Sequence, residues 1–350
     1  MIGWLIYFIT LLLCILKKEK KYIIPLFITV IIIFSLNYNN ADYKNYLNLY
    51  KLSSTEFFNN TGFPGYMVIM RLCNLLGISY QSFLLIVSIS GLGLILIIFL
   101  KLSNFPNLCF SLYCIAPFFS DVIQIRNFIV MVILTLAIVI LLSQMKYKKI
   151  IFIILIILAS TVQIMALYYL ILIFYDSKKF QCISKNWKKS IFFSLFISIV
   201  IILIIPYFPS FFPINKIQYF FSDIHFHSRN LLMFLAAIVQ LLLVNYILDF
   251  NLINNKFLLY KNYLSTLSLI VYLSTPLILF SFQFYRIVRN FLPIYYFIFI
   301  EGLMSCNFKK QKKLLFIGIQ ILIAFLYMVL NQFSVVKDIM EFNYIFQIFS

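Results

Sequence analysis

An all-helical protein that threads a membrane many times is the fold class this sequence predicts, and three observations predict it. Hydrophobic residues make up 64% of the 350 and charged residues 11%, with a mean hydropathy of +1.03, which is more apolar surface than one globular core can bury. Apolar runs recur from Ile2 to the last residues, leaving no polar stretch long enough for a soluble domain. Those runs are continuously apolar rather than alternating, which excludes a β-barrel. Residues 1–350 therefore read as a single transmembrane domain, and a soluble enzyme is excluded.

The runs fall near 2–16, 22–36, 81–100, 105–119, 127–144, 190–206, 230–249, 264–282, 290–305 and 314–331. The first is expected to stay as a span, because Lys17-Lys18-Glu19-Lys20-Lys21 follows it where a cleaved signal needs small residues. Several runs are shorter than the ~20 residues of a perpendicular crossing, so flanking aromatics complete them or the bilayer thins. Residues 150–175 have lysines on both sides, at 146–149 and 178–189. Because basic loops stay in the cytoplasm, that stretch reads as two short helices meeting near Ser160 to Met165. The expected total is about twelve transmembrane helices, some short or broken, with both termini outside.

Net charge is +18, from 28 Lys+Arg against 10 Asp+Glu. In a membrane protein this records topology and anionic lipid, and no nucleic-acid partner is expected. On this topology the inner loops carry nineteen basic residues, all lysine, and the outer face carries nine. Those nine include every arginine in the chain: Arg71, Arg126, Arg229, Arg286 and Arg289. Arginine differs from lysine in its planar, permanently charged fork, which holds phosphate or carboxylate bidentately. An outward anion site near Arg126, Arg286 and Arg289 is therefore expected, beside the plainer reading that some arginines snorkel at the interface.

The first outer loop spans 37–80, and in it Asp42, Tyr46 and Tyr50 recur every fourth residue, one stripe of a helix suited to gripping a sugar. An interfacial aromatic belt is the plainer alternative. Glu56 follows, then Phe63-Pro64-Gly65-Tyr66 and a moderately apolar stretch interrupted by Arg71, which reads as an interfacial or re-entrant helix. Gln124, Arg126 and the nearby Asp121 open a span, where free backbone amides add to the arginine's charge. Gln163 lies at the turn of the short-helix pair.

A second outer loop, 207–229, holds the only histidines, His225 and His227. Two histidines without a third nitrogen or sulfur ligand do not make a zinc site, so His227 is assigned acid/base or hydrogen-bonding use and no metal is expected. Tyr285-Arg286-Ile-Val-Arg289 places two arginines on one helix face, a spacing that clamps a pyrophosphate. The six cysteines lack CxxC spacing and read as packing. Gly91 and Gly93 lie within an apolar run and serve close helix contact rather than a phosphate loop.

Taken together, the outer Asp42-x3-Tyr46-x3-Tyr50 run, the Pro64-Gly65-Tyr66 step, Gln124-Ile-Arg126-Asn127, the hairpin around Gln163 and Arg286 in a late outer loop resemble the EpsG/Wzy-type polysaccharide polymerases, over most of residues 37–300. The resemblance implies a Wzy/GT-C-like helical bundle in the bacterial cytoplasmic membrane. It further implies an enzyme that moves a growing glycan from undecaprenyl diphosphate to a new lipid-linked repeat unit at the outer face. Its partners would be undecaprenyl-diphosphate-linked oligosaccharide, membrane lipid, and a chain-length regulator and flippase of the same pathway; no cofactor is implied. This chain departs from the pattern at Phe63, where similar members carry a carboxylate, and at Gln163, where they carry a histidine.

On that reading the catalytic candidates are Asp42, Asp121, Glu56 and His227. The substrate-binding candidates are Arg126, Arg286, Arg289, Arg71, Arg229, Gln124, Gln163, Tyr46 and Tyr50. The rival expectations are a flippase or transporter of lipid-linked oligosaccharide and an O-antigen ligase-type glycosyltransferase. A transporter is expected to show internal repeats and ionisable groups at mid-membrane; no repeat is found, and Glu301 is the one plainly intramembrane carboxylate.

Overall fold

The computed structural model describes residues 2–17, 19–54, 63–204, 228–250, 255–341 and 343. Every element among them is helical, with an isolated β-bridge between Asn37 and Asn343. This is the outcome a bilayer imposes, since a helix satisfies its own backbone. The chain divides into two compact units, Met1–Leu167 with Ala324–Ser350, and Tyr168–Ile323.

In the first unit the helices are α1 (Ile2–Leu16), α2 (Ile23–Ser35), α3 (Tyr43–Leu52), α4 (Pro64–Leu75), α5 (Tyr80–Leu102), α6 (Pro106–Ile115), α7 (Phe118–Ile123), α8 (Ile125–Leu142) and α9 (Lys148–Val162). Proline opens both α4 and α6, where its missing N–H is no loss. Ser79 caps α5, its hydroxyl accepting from the Ser82 amide at 3.1 Å. Polar side chains tie the helix breaks together. Asn107 donates to the carbonyls of Lys17 and Glu19 at 2.9 and 3.1 Å, fixing the turn between α1 and α2. Gln81 donates to the carbonyls of Ser35 and Asn37 at the far end of α2.

The second unit contains a 3-10 helix of which Tyr168–Phe174 is the larger part, α10 (Lys178–Lys185), α11 (Trp187–Ile204), α12 (Ser228–Asp249), α13 (Asn255–Tyr272), α14 (Leu277–Phe280) and α15 (Tyr285–Ser305). The last helix, α16 (Lys310–Glu341), contributes Lys310–Ile323 here and its remainder to the first unit. Some buried polar atoms are paired across these helices. Tyr272 donates to the Gln240 amide oxygen at 3.0 Å and Tyr295 to that of Gln320 at 2.9 Å, so neither amide oxygen is left unpaired in an apolar interior.

Among the described residues six stretches are long and apolar enough to cross a membrane: Tyr80–Leu102, Ile125–Leu142, Ser228–Asp249, Lys261–Leu279, Phe282–Ser305 and Lys310–Val329. Ile2–Leu16, Pro106–Ile115 and Ile164–Phe174 are apolar but shorter. Leu5, Ile9, Leu12 and Leu16 are all exposed on α1, as a lipid-facing helix requires. The protein is thus a polytopic helical membrane protein, with six full-length candidate spans where the sequence suggested about twelve. Part of the difference is length, since Ile2–Leu16 and Ile23–Ser35 are unbroken but short, and part is breaks inside apolar runs. Run 105–119 is cut at Ala116-Pro117, where Ala116 is extended and proline offers no N–H to continue the helix. The expected division of 150–175 is present: α9 ends at Val162, Gln163 is extended (φ −150°, ψ 116°), and the 3-10 helix starts at Ile164.

Candidate functional site: an arginine held by aromatic rings

In the first unit Asn40 accepts from the Asp42 amide at 3.0 Å, which fixes the chain just before α3. Tyr46 and Tyr50 then point inward, 5% and 4% exposed, while Asp42 stays half-buried at the helix start. The stripe expected to meet a sugar thus faces other aromatic rings, because packing phenols against Tyr66, Tyr80 and Phe83 removes more apolar surface from water than an open face would. The Tyr50 hydroxyl is committed, donating to the Ile78 carbonyl at 2.6 Å, and Asn74 donates to the Tyr50 carbonyl at 2.7 Å. Burial raises the Tyr50 phenol above its usual pKa, with a smaller contribution from Cys73.

Gln124 leaves the helical conformation (φ −100°, ψ 67°), so α7 stops and α8 restarts with Arg126 as its second residue. The Arg126 guanidinium carbon sits 3.6 Å from the Phe63 ring centroid and 5.7 Å from that of Tyr46, and its Nε donates to the Tyr46 hydroxyl at 3.4 Å. Tyr66 closes the group, its ring 5.7 Å from Tyr46 and edge-on. Three buried polar atoms here have no hydrogen-bond partner: Arg126 Nη1, Tyr66 Oη and Gln124 Oε1. Among the described residues no carboxylate pairs with Arg126. Burial first, then Tyr80 and Tyr46, hold the Tyr66 phenol well above its usual pKa, and the Arg126 charge pulls partly the other way. The result is a fixed cation with unused donors beside a phenol that stays protonated.

Gly65 explains how the Pro-Gly-Tyr step reaches this place. A Cβ there would collide with the Thr161 side chain and stand 3.1 Å from its carbonyl carbon, so only glycine lets the start of α4 lie against the last turn of α9. That contact sets Phe63 and Tyr66 near the break at Gln163, which is 7% exposed.

The remaining expected residues are placed as follows. Asp121 is fully buried on α7 and accepts from the Tyr113 hydroxyl at 3.0 Å. Arg71 is half-buried on α4. In the second unit Arg229 lies in the first turn of α12 with its guanidinium carbon 4.0 Å from the Phe282 centroid. Arg286 is half-buried and Arg289 is 2% exposed, both in the first turns of α15, where the Ile287 carbonyl accepts from Tyr169 at 2.8 Å. Burial of Arg289 differs from the open clamp that the spacing suggested: α15 is packed on nearly all sides, so its second arginine turns inward. Glu56, His225 and His227 lie outside the described residues, as does all of 207–229 except Ser228 and Arg229. Sequence reasoning missed Phe63 and Tyr66 as the partners of Arg126. The signal available was Phe63 standing where a carboxylate was expected.

No group of three or more His, Cys, Asp or Glu that could hold a metal is found among the described residues. No curated protein and no solved structure matches the chain. A family model described as the EpsG family matches residues 5–346, essentially the whole chain, and so spans all five arginines. The chain belongs to the EpsG family.

Proposed function

We propose that this membrane protein is a polysaccharide polymerase of the bacterial cytoplasmic membrane. It transfers a growing glycan from undecaprenyl diphosphate to a new lipid-linked repeat unit at the outer face. Family membership supports the polymerase class. The observation that carries the site is Arg126, a cation over the Phe63 ring and bonded to the Tyr46 hydroxyl, whose Nη1 is buried without a partner.

In the reaction the bond between the donor's anomeric carbon and the diphosphate oxygen breaks, and the lipid diphosphate leaves with the electron pair. The acceptor hydroxyl oxygen forms the new bond to that carbon, and its proton passes to a carboxylate. Arg126 binds the diphosphate and meets the charge that grows on it, an interaction stronger in the transition state than before it. A diphosphate needs no proton to leave. Asp42 is the base that accessibility favours: it is half-buried at the start of α3, whereas Asp121 is fully buried beneath Tyr113. Arg229, Arg286 and Arg289, in the second unit, are further substrate-binding residues of this reading, each by its permanently charged fork. The short apolar helices complete crossings in a topology of about twelve segments with both termini outside and the lysine-rich loops inside. A chain-length regulator and a flippase of the same pathway work beside it.

The test is reconstitution of purified protein with undecaprenyl-diphosphate-linked repeat units from its own host, read as a ladder on a gel. The expected result is a ladder stepped by one repeat unit and lost in Arg126→Ala. Movement of labelled lipid across the bilayer without a ladder overturns the polymerase in favour of a flippase.

A further inference from the structure

Below the Arg126 cluster an apolar groove of about 280 Å³ runs between α4, α5 and α8. Two of its walls continue the cluster helix by helix. On α8, Arg126, Ile129 and Ile133 stand at i, i+3 and i+7, one face of the helix, and both isoleucines line the groove. On α4, Tyr66, Ile69 and Cys73 repeat that spacing, and Ile69 and Cys73 line it as well. Phe83, which touches the Tyr66 ring at 6.4 Å, begins the α5 wall. Gly91 shapes its floor: a Cβ there would stand 2.5 Å from the Phe128 ring, so glycine lets α5 and α8 approach. Gly93, by contrast, has only Phe27 nearby, at 3.9 Å. The groove is dry in character and its outer residues, Ile86 and Ser90, are exposed.

We infer that this groove holds the isoprene units nearest the diphosphate of the lipid-linked substrate, with the diphosphate at Arg126 one helical turn away. The inference deepens the polymerase reading and rests on it. An amphiphile with an anionic head and a long apolar tail matches a cation that sits on the same stripe of α8 as the groove wall, and neither half alone explains the continuity. A chain seated there also fixes how far the diphosphate enters, so the reacting carbon is positioned by apolar contact as well as by charge.

The experiment uses the full chain in phospholipid nanodiscs with a polyprenyl diphosphate carrying a photoactivatable diazirine on its isoprenoid chain, followed by peptide mapping. Expected is labelling within 69–73 and 86–94 that falls about tenfold in Ser90→Trp, which fills the groove from an exposed position, and persists in Ser90→Ala. A second readout needs no variant in the groove: in a Cys182→Ser background, the probe is expected to protect Cys73 from maleimide, and Cys182 is otherwise the exposed thiol. Labelling elsewhere, or labelling no different from that by a diazirine phospholipid, overturns the groove. Arg126→Ala separates the two layers: binding lost there but labelling mapped away from the groove sinks this inference alone, whereas groove labelling indifferent to Arg126→Ala sinks the anion-site reading and keeps the groove.

Discussion

Arg126 and Phe63 form the tightest cation–ring contact among the described residues of the first unit, 3.6 Å from guanidinium carbon to ring centroid, at a position where a carboxylate was the family expectation. A carboxylate would neutralise the arginine. A phenyl ring holds it in place and leaves its charge and donors for something else.

Replacing Arg126 by lysine is therefore not conservative. Lysine keeps the charge but loses the planar contact with Phe63 and the Nε donor to Tyr46. Polymer yield is expected to fall about tenfold, since ~1–2 kcal/mol of stacking and positioning is lost. Melting temperature in detergent should fall by no more than a few degrees. A lysine variant with full yield at unchanged polymer length contradicts the role.

Gly65→Ala tests the α4–α9 contact. The added methyl meets Thr161, and overpacking costs about 1–3 kcal/mol. Thermal stability is expected to drop, and Thr161→Ala in the same chain is expected to recover part of the loss, which a double-mutant cycle measures. Strict additivity of the two changes would show that they do not touch.

Tyr113→Phe removes the donor at 3.0 Å from the fully buried Asp121. Leaving a buried carboxyl oxygen short of a donor is expected to cost about 1–3 kcal/mol of stability. Asp121→Asn should cost less, because an amide oxygen still accepts from Tyr113. The opposite order would point to a different partner for Tyr113.

The Tyr50 phenol, raised by burial, makes stability fall on the alkaline side. Its neutral form is favoured in the folded state, so the contribution is complete below the ordinary phenol pKa of about 10 and is lost as pH rises through the folded value. Tyr50→Phe is expected to lower stability by about 1 kcal/mol at neutral pH, through loss of the bond to the Ile78 carbonyl, and to flatten the decline above pH ~10. Denaturation curves across that range check both, and an unchanged slope would place the titration elsewhere.

The apolar runs alone determined that this is a helical membrane protein, and they located the break at Gln163, because hydropathy and flanking lysines are local properties that a bilayer reads directly. They did not tell full-length spans from short or broken ones, since a cut such as Ala116-Pro117 depends on backbone geometry that composition averages away. Arginine placement singled out Arg126. Its partners were decided by tertiary structure: Tyr46 lies eighty positions away in sequence, and Phe63 reaches it only because Gly65 lets α4 lie against Thr161. The Tyr46–Tyr50 stripe shows the same limit, because periodicity states which residues share a face, and only the packing of α3 on α4 and α5 decides that the face turns inward.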